Sequence, residues 1–148
     1  MRSGRIAYGL VVCLALAGTA VYLAPLNAAD TLGDCTVAAL QAKAPKGTTI
    51  TGASVVEAAQ GVPQYCKVDG HVASPGNEVN FRLGLPTAWN GKYYFVGVGG
   101  LGGSIGNLDA GLRRGYASAS TDTGHVSNDP TWGSKPAKEM DYGHRGTQ

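Results

Sequence analysis

The feature that most constrains the fold is a four-part run in the second half of the chain. Tyr93-Tyr94-Phe95-Val96 is continuously apolar and aromatic, the pattern of a strand covered on both faces, and it predicts a central strand of a sheet. It runs into Gly97-Val98-Gly99-Gly100-Leu101-Gly102-Gly103-Ser104-Ile105-Gly106, a loop with little side chain in it. A short helix follows with its signals in order: Asn107 as N-cap, Asp109 in the first turn, Leu108 and Leu112 on one face, Arg113-Arg114 in the last turn and Gly115 as stop. Asp109 and Arg113 are spaced to pair at i, i+4. Tyr116-Ala117-Ser118-Ala119-Ser120 then reads as a second buried strand, ending in Thr121-Asp122-Thr123-Gly124-His125. Strand, loop, helix and strand make a right-handed βαβ crossover, so the two strands are expected to be parallel. The glycine loop and the segment 122–125 then both lie at the carboxyl edge of the sheet, where open α/β sheets place their sites.

Ahead of the crossover the pattern changes to period two. Tyr65 to Val72 is a strand candidate, Ser74-Pro75-Gly76-Asn77 a turn, and Val79, Phe81, Leu83 and Leu85 alternate with Asn80, Arg82 and Gly84. Together they predict an antiparallel hairpin. Further upstream, Val37 to Lys43 reads as a short helix and the Thr/Val-rich stretch Thr48 to Val56 as a strand. Beyond the crossover, Ser127 to Met140 is loop-like, and Asp141 to Arg145 reads as the beginning of a helix.

Composition enters through the N-terminus. Arg2 and Arg5 precede a nearly charge-free apolar run from Ile6 to Leu26 that ends at Asn27-Ala28-Ala29, so residues 1–29 read as a secretory signal and 30–148 as a single domain. Retention of the run as a membrane anchor is the alternative. Lipid attachment at Cys13 is disfavoured by the bulky valines before it. Without Arg2 and Arg5 ten basic residues face ten acidic ones, and apart from Arg113-Arg114 they are scattered singly. A nucleic-acid partner would need a clustered basic face, so none is expected. The expected location is secreted or periplasmic, with no membrane association after removal of the signal. Export also discards Cys13 and leaves Cys35 and Cys66, predicting one disulfide in an oxidising compartment. The alternative is that each cysteine awaits another partner in a longer chain.

The glycine loop has three readings. Gly97, Gly99 and Gly102 satisfy G-x-G-x-x-G with Asp122 twenty residues on, a dinucleotide signature. The secretory signal, the hairpin ahead of the motif and the extra Ser104-Ile105-Gly106 before the helix argue against it, since pyrophosphate binding needs the helix to start at the glycines. Gly102 to Gly106 is formally G-x-S-x-G, casting Ser104 as a nucleophile with Asp122 and His125. Asp122 and His125, however, follow the same strand three residues apart, whereas a triad draws them from separate loops. The third reading makes Gly99, Gly100 and Leu101 an oxyanion-hole loop, whose backbone N–H groups need no side chain. Close packing of a loop over the sheet edge is the bland explanation for the same glycines.

The chain resembles, in order and over roughly residues 35 to 145, the N-terminal part of the tannase and feruloyl esterase family. The resemblance is carried by Pro63-Gln64-Tyr65-Cys66-Lys67-Val68-Asp69-Gly70, Phe81-Arg82-Leu83 with Leu85-Pro86, and Trp89-Asn90-Gly91-Lys92-Tyr93-Tyr94. The glycine loop, Arg114-Gly115-Tyr116-Ala117 and Ser120-Thr121-Asp122-Thr123-Gly124-His125 continue it. It implies a secreted serine esterase with an α/β-hydrolase core acting on phenolic-acid esters such as gallates or ferulates. In that family the nucleophile sits in a later G-C-S-x-G-G elbow, with the catalytic aspartate and histidine after a lid. No residue here matches those positions, so no catalytic residue is assigned.

Members often carry cysteine in the glycine loop where this chain has Val98 and Leu101, which leaves the pairing of Cys35 with Cys66 open. Arg145-Gly146-Thr147-Gln148 departs from the usual R-A-x-H, consistent with a frameshift or premature end.

The remaining residues take bland roles. Asp122 and His125 are expected to order the loop near the site, Asp122 by accepting backbone N–H bonds as a turn former. His71, His125 and His144 match no tight ligand spacing, so no metal and no cofactor are expected. Trp89 and Trp132 either pack on the core or line an aromatic substrate cleft, and packing is the expected role. The fold expected is α/β: an incomplete α/β-hydrolase, with an N-terminal antiparallel hairpin followed by a βαβ crossover. It would serve an aromatic ester substrate only as part of a longer protein. The competing class is a small exported binding or structural module without catalysis.

Overall fold

The computed structural model describes residues 32–145. The targeting segment 1–29 lies outside the described residues. Three elements form the N-terminal part: α1 (Val37–Lys43), β1 (Thr48–Val56) and the hairpin of β2 (Tyr65–Ser74) with β3 (Asn77–Pro86). The crossover is β4 (Tyr93–Phe95), α2 (Asp109–Leu112) and β5 (Ala117–Thr121). A 3-10 turn (Trp132–Ser134), α3 (Pro136–Met140) and a π-helical turn (Asp141–Arg145) complete the order. The strands make one mixed sheet in the order β1-β2-β3-β5-β4. All neighbours are antiparallel except β4 and β5, which run parallel as a βαβ unit requires.

Period two puts the apolar rows of β2 and β3 on one face, where Cys66 lies opposite Leu85 and Val68 opposite Leu83. Cys66 and Val68 are buried with Ile50 and Cys35 under α1, and Leu40, Phe81, Leu83 and Leu85 pack against them. Helix α1 starts where Thr36 accepts from the Ala39 N–H at 3.2 Å. It buries no residue fully itself, so the Cys35–Cys66 disulfide, with Cα atoms 5.7 Å apart, ties its start covalently to β2. Gln41 adds a clasp, donating to Thr48 O and accepting from the Ile50 N–H.

On the other face Leu112, fully buried, joins Leu108 and Val62 with Tyr65 and Val96. This core is shallow because the crossover lies close on the sheet. A Cβ on Gly111 would come within 2.8 Å of the Tyr94 ring and closer still to Ser118 Oγ, so only glycine permits that approach. Burial lifts the Tyr65 hydroxyl pKa above its ordinary value, with the Asp109 carboxylate adding to the effect.

Four expectations are corrected. The run from Tyr93 forms a strand of three residues at the sheet edge, not its centre. Its outer edge meets no strand among the described residues, and Tyr93 is 61% exposed; an apolar run reports side-chain character, not how many neighbours a strand has. The helix of the crossover spans only Asp109–Leu112, and Asn107 sits one residue before its N-cap, where Oδ1 accepts from the Asp109 N–H at 2.7 Å. Arg113 is the C-cap, from which it still reaches Asp109 at 3.8 Å. Within 127–140 the stretch is not a plain loop, since Pro136 begins α3 as a residue without an N–H to waste at the first helical position. Trp89 is not packed; it is 60% exposed.

Candidate functional site

The parallel pair β4 and β5 aims both its following loops at the same sheet edge, and there the glycine loop meets the segment 122–125. The contact is backbone to backbone: the Gly103 N–H donates to Asp122 O at 3.1 Å, and the Ser127 N–H donates to Gly103 O at 2.9 Å. A Cβ on Gly103 would sit 2.6 Å from Ser127 N, so this close seam depends on glycine. Ser120 Oγ stitches the base of the loop, donating to Val96 O and accepting from the Gly106 N–H, both at 2.9 Å.

Asp122 is buried and works as a clamp. Its carboxylate accepts from the Asn80 N–H at 3.0 Å, from Asn80 Nδ2 at 2.6 Å and from the Gly124 N–H at 2.8 Å. It thereby joins β3 to the turn after β5. Asn77 runs parallel to this bridge, donating to Gly124 O at 2.6 Å and to Asp141 at 2.9 Å. Ser74 donates to the buried Asp141 at 2.6 Å. The tip of the hairpin, the 122–125 turn and the C-terminal turn are thus locked together. Asn77, Asn80 and Asp141 carry no sequence signal beyond being polar residues near turns.

His125 is 3% exposed. Its ring stacks on Trp132 with centroids 4.0 Å apart and meets the Tyr142 ring edge-on at 5.7 Å. Nδ1 lies 3.4 Å from Thr123 Oγ1, while Nε2 is buried without a partner. Thr123 Oγ1 already donates to Asp122 O at 2.6 Å, so it acts as acceptor toward His125, which places the ring proton on Nδ1. The stack holds segment 129–142 over the site. Within that segment Asp129 binds Thr131, Lys135 and Lys138, and these bonds, Thr131 first, hold its carboxyl well below the usual carboxylate range.

Gly99, Gly100 and Leu101 form the outermost part of the loop. A Cβ on Gly99 or Gly100 would touch nothing within 4 Å, and Leu101 is exposed. Among the described residues the N–H groups of Gly97 to Leu101 have no acceptor, whereas Gly102 N–H donates back to Gly99 O at 3.3 Å. A cleft of about 330 Å³ lies behind them, walled by Phe95, Val98, Gly100, Thr121, Thr123 and Tyr142. Unspent backbone donors beside a mostly apolar cleft can stabilise an oxyanion. Ser104 is exposed and forms no hydrogen bond with Asp122 or His125. Among the described residues no group of three or more His, Cys, Asp or Glu side chains gathers as a metal site would need, and no helix is long and apolar enough to cross a membrane.

Solved structures of two esterases superpose on this mixed sheet. An esterase from Aspergillus oryzae matches with a TM-score of 0.65 at 20% identity, over 79% of this chain and 27% of that one. Feruloyl esterase B from Aspergillus oryzae matches with a TM-score of 0.66 at 19% identity, over 79% and 26%. The family model "Tannase and feruloyl esterase" matches residues 66–148, more than half of the sequence, and the chain belongs to that family.

Among curated relatives, mono(2-hydroxyethyl) terephthalate hydrolase of Piscinibacter sakaiensis is 28% identical over 116 residues, covering 62% of this chain and 19% of its own length. An uncharacterized esterase of Xanthomonas campestris pv. campestris is 34% identical over 110 residues, covering 69% of this chain and 17% of its own. The chain thus spans about a fifth of the curated relatives it matches.

Proposed function

We propose that residues 30–148 are the N-terminal part of an α/β-hydrolase domain of an exported serine carboxylesterase, secreted or periplasmic, that acts on aromatic esters of the phenolic-acid type. Family membership supports ester hydrolysis, and the names of a feruloyl esterase and a terephthalate monoester hydrolase among its relatives support an aromatic acyl group. The observation that supports the assignment of the loop is that, among the described residues, the N–H groups from Gly97 to Leu101 at the carboxyl edge of β4 have no acceptor.

In this reading Gly99, Gly100 and Leu101 donate to the carbonyl oxygen of the substrate as it gains negative charge. Asp122 and His125 do not touch the substrate; they hold the loop's partner turn in place. A serine outside residues 1–148 attacks the carbonyl, transfers its proton to a histidine oriented by an aspartate, and forms an acyl-enzyme that water then hydrolyses. The reaction needs no cofactor. An oxyanion hole accelerates nothing until a nucleophile has attacked, so residues 1–148 alone are expected to be inactive.

The test is to sequence the DNA following codon 148 in all three frames and to express any reading frame containing a G-C-S-x-G-G segment. Hydrolysis of methyl ferulate or methyl gallate by that product, with none by residues 1–148, supports the reading. A chain without such a continuation that folds as a soluble monomer with one cooperative transition would instead be a non-catalytic exported module.

A further inference from the structure

We propose that the cleft beside Trp89 is a second ligand site, which takes a single phenol ring and lies apart from the glycine loop. Trp89 precedes β4 and the glycine loop follows it, so the two clefts open at opposite edges of the sheet. The Trp89 cleft measures about 230 Å³, and it is lined by Leu40, Cys66, Leu85, Pro86 and the indole, with Asp34 and Lys43 as its charged members. An apolar cavity of about 150 Å³ holds benzene, and drug-sized ligands fill ~300 Å³ or more. The volume therefore fits one ring with a small substituent.

The indole is presented rather than merely left outside. Its Nε1–H donates to Lys92 O at 2.7 Å, which fixes the ring and uses its polar handle. An aromatic face is what remains to offer. A second ring gains by stacking on such a face beyond the area it buries, and the buried Cys66 sulfur provides a polarisable contact at the floor. Asp34 Oδ2 is taken by Lys43 Nζ at 2.5 Å; among the described residues Oδ1 has no partner. A carboxylate oxygen there accepts a hydrogen bond from a ligand hydroxyl. The recognised chemistry is accordingly an aromatic ring bearing a hydroxyl, such as a phenol-bearing polymer presents many times over, and the site would anchor the protein to such a surface without turnover. This inference does not depend on the proposed esterase activity, since it is read by binding alone.

The experiment is saturation-transfer NMR of phenol and of methoxybenzene with the 148-residue chain, supported by circular dichroism of each variant. Saturable phenol binding is expected, with a Kd on the order of 1 mM. Trp89→Ala should weaken it about tenfold while Trp89→Phe retains most of it, because both aromatic residues stack. Asp34→Ala, which removes the acceptor oxygen, should reduce the preference for phenol over methoxybenzene. Both positions are exposed, so the fold should survive each change. Phenol binding that is not saturable, or that is equal in wild type and Trp89→Ala, overturns the proposal. A Trp89 environment that changes with protein concentration also overturns it, assigning the cleft to a second copy of the chain.

Discussion

The hairpin half of the molecule, α1 with β1 to β3, and the crossover half, β4 to β5, share one sheet but are closed by different means. In the hairpin half large side chains meet: Ile50, Val68, Phe81, Leu83 and Leu85 fill one face under a helix that a disulfide holds down. In the crossover half the backbone itself approaches, through Gly103, Gly106 and Gly111 against Ser118, Ser120 and Ser127, and among the described residues its buried apolar side chains are Leu108 and Leu112, which meet Val62 from the β1–β2 connection. One half stabilises itself by burying area. The other gives up area for close contact between backbone and backbone.

The largest effect that would sharpen this contrast is removal of the tether. Replacing Cys35 and Cys66 together by alanine should cost about 3–4 kcal/mol, from the loop of 31 residues they close, read as a fall in the urea midpoint. An unchanged midpoint would mean that α1 is held by packing instead. Leu112→Ala should cost about 3 kcal/mol, since the side chain is fully buried and its neighbours, Gly84 among them, are too small to refill the space. A cost below ~1 kcal/mol would show that the crossover core contributes little.

Gly111→Ala should cost about 1–3 kcal/mol through forced separation of α2 from Ser118 and Tyr94. Gly133→Ala, with nothing within 4 Å of the new methyl, should stay within ~0.5 kcal/mol. Equal costs at these two positions would break the close-approach argument. The smallest effect concerns pH. Asp129 has its folded pKa depressed by Thr131, Lys135 and Lys138, so its contribution is present above the ordinary carboxyl value and is lost only as pH falls through the folded one. Asp129→Asn should therefore flatten the acid limb of the stability curve slightly and leave the neutral region almost unchanged, as followed by thermal melts from pH 2 to 7.

The same contrast explains what the sequence made legible. Val37–Lys43 and Thr48–Val56 match the observed elements residue for residue, and the Tyr65 to Leu85 hairpin and the parallel crossover are where periodicity placed them. Those features rest on local signals of cap, alternation and turn. The edge position of β4 was not legible, because Tyr93-Tyr94-Phe95-Val96 would read the same with one neighbour or two. The clamp of Asp122 with Asn80 and Asn77 with Asp141, and the stack of His125 on Trp132 and Tyr142, join residues 7 to 64 positions apart with no periodic signature. Pro136 was a usable signal for α3 that the loop-like composition around it concealed. Of the site, the glycine loop and the segment 122–125 were legible as neighbours, but the backbone bonds that join them were not.

The most direct test of the central claim, that this chain carries an oxyanion loop but no nucleophile, is labelling of the folded 148-residue protein with a fluorophosphonate probe and peptide mapping by mass spectrometry. The account predicts no labelled serine in this chain and one labelled serine, beyond residue 148, in a longer active product. Stoichiometric labelling of Ser104, or of any other serine within residues 30–148, would contradict it.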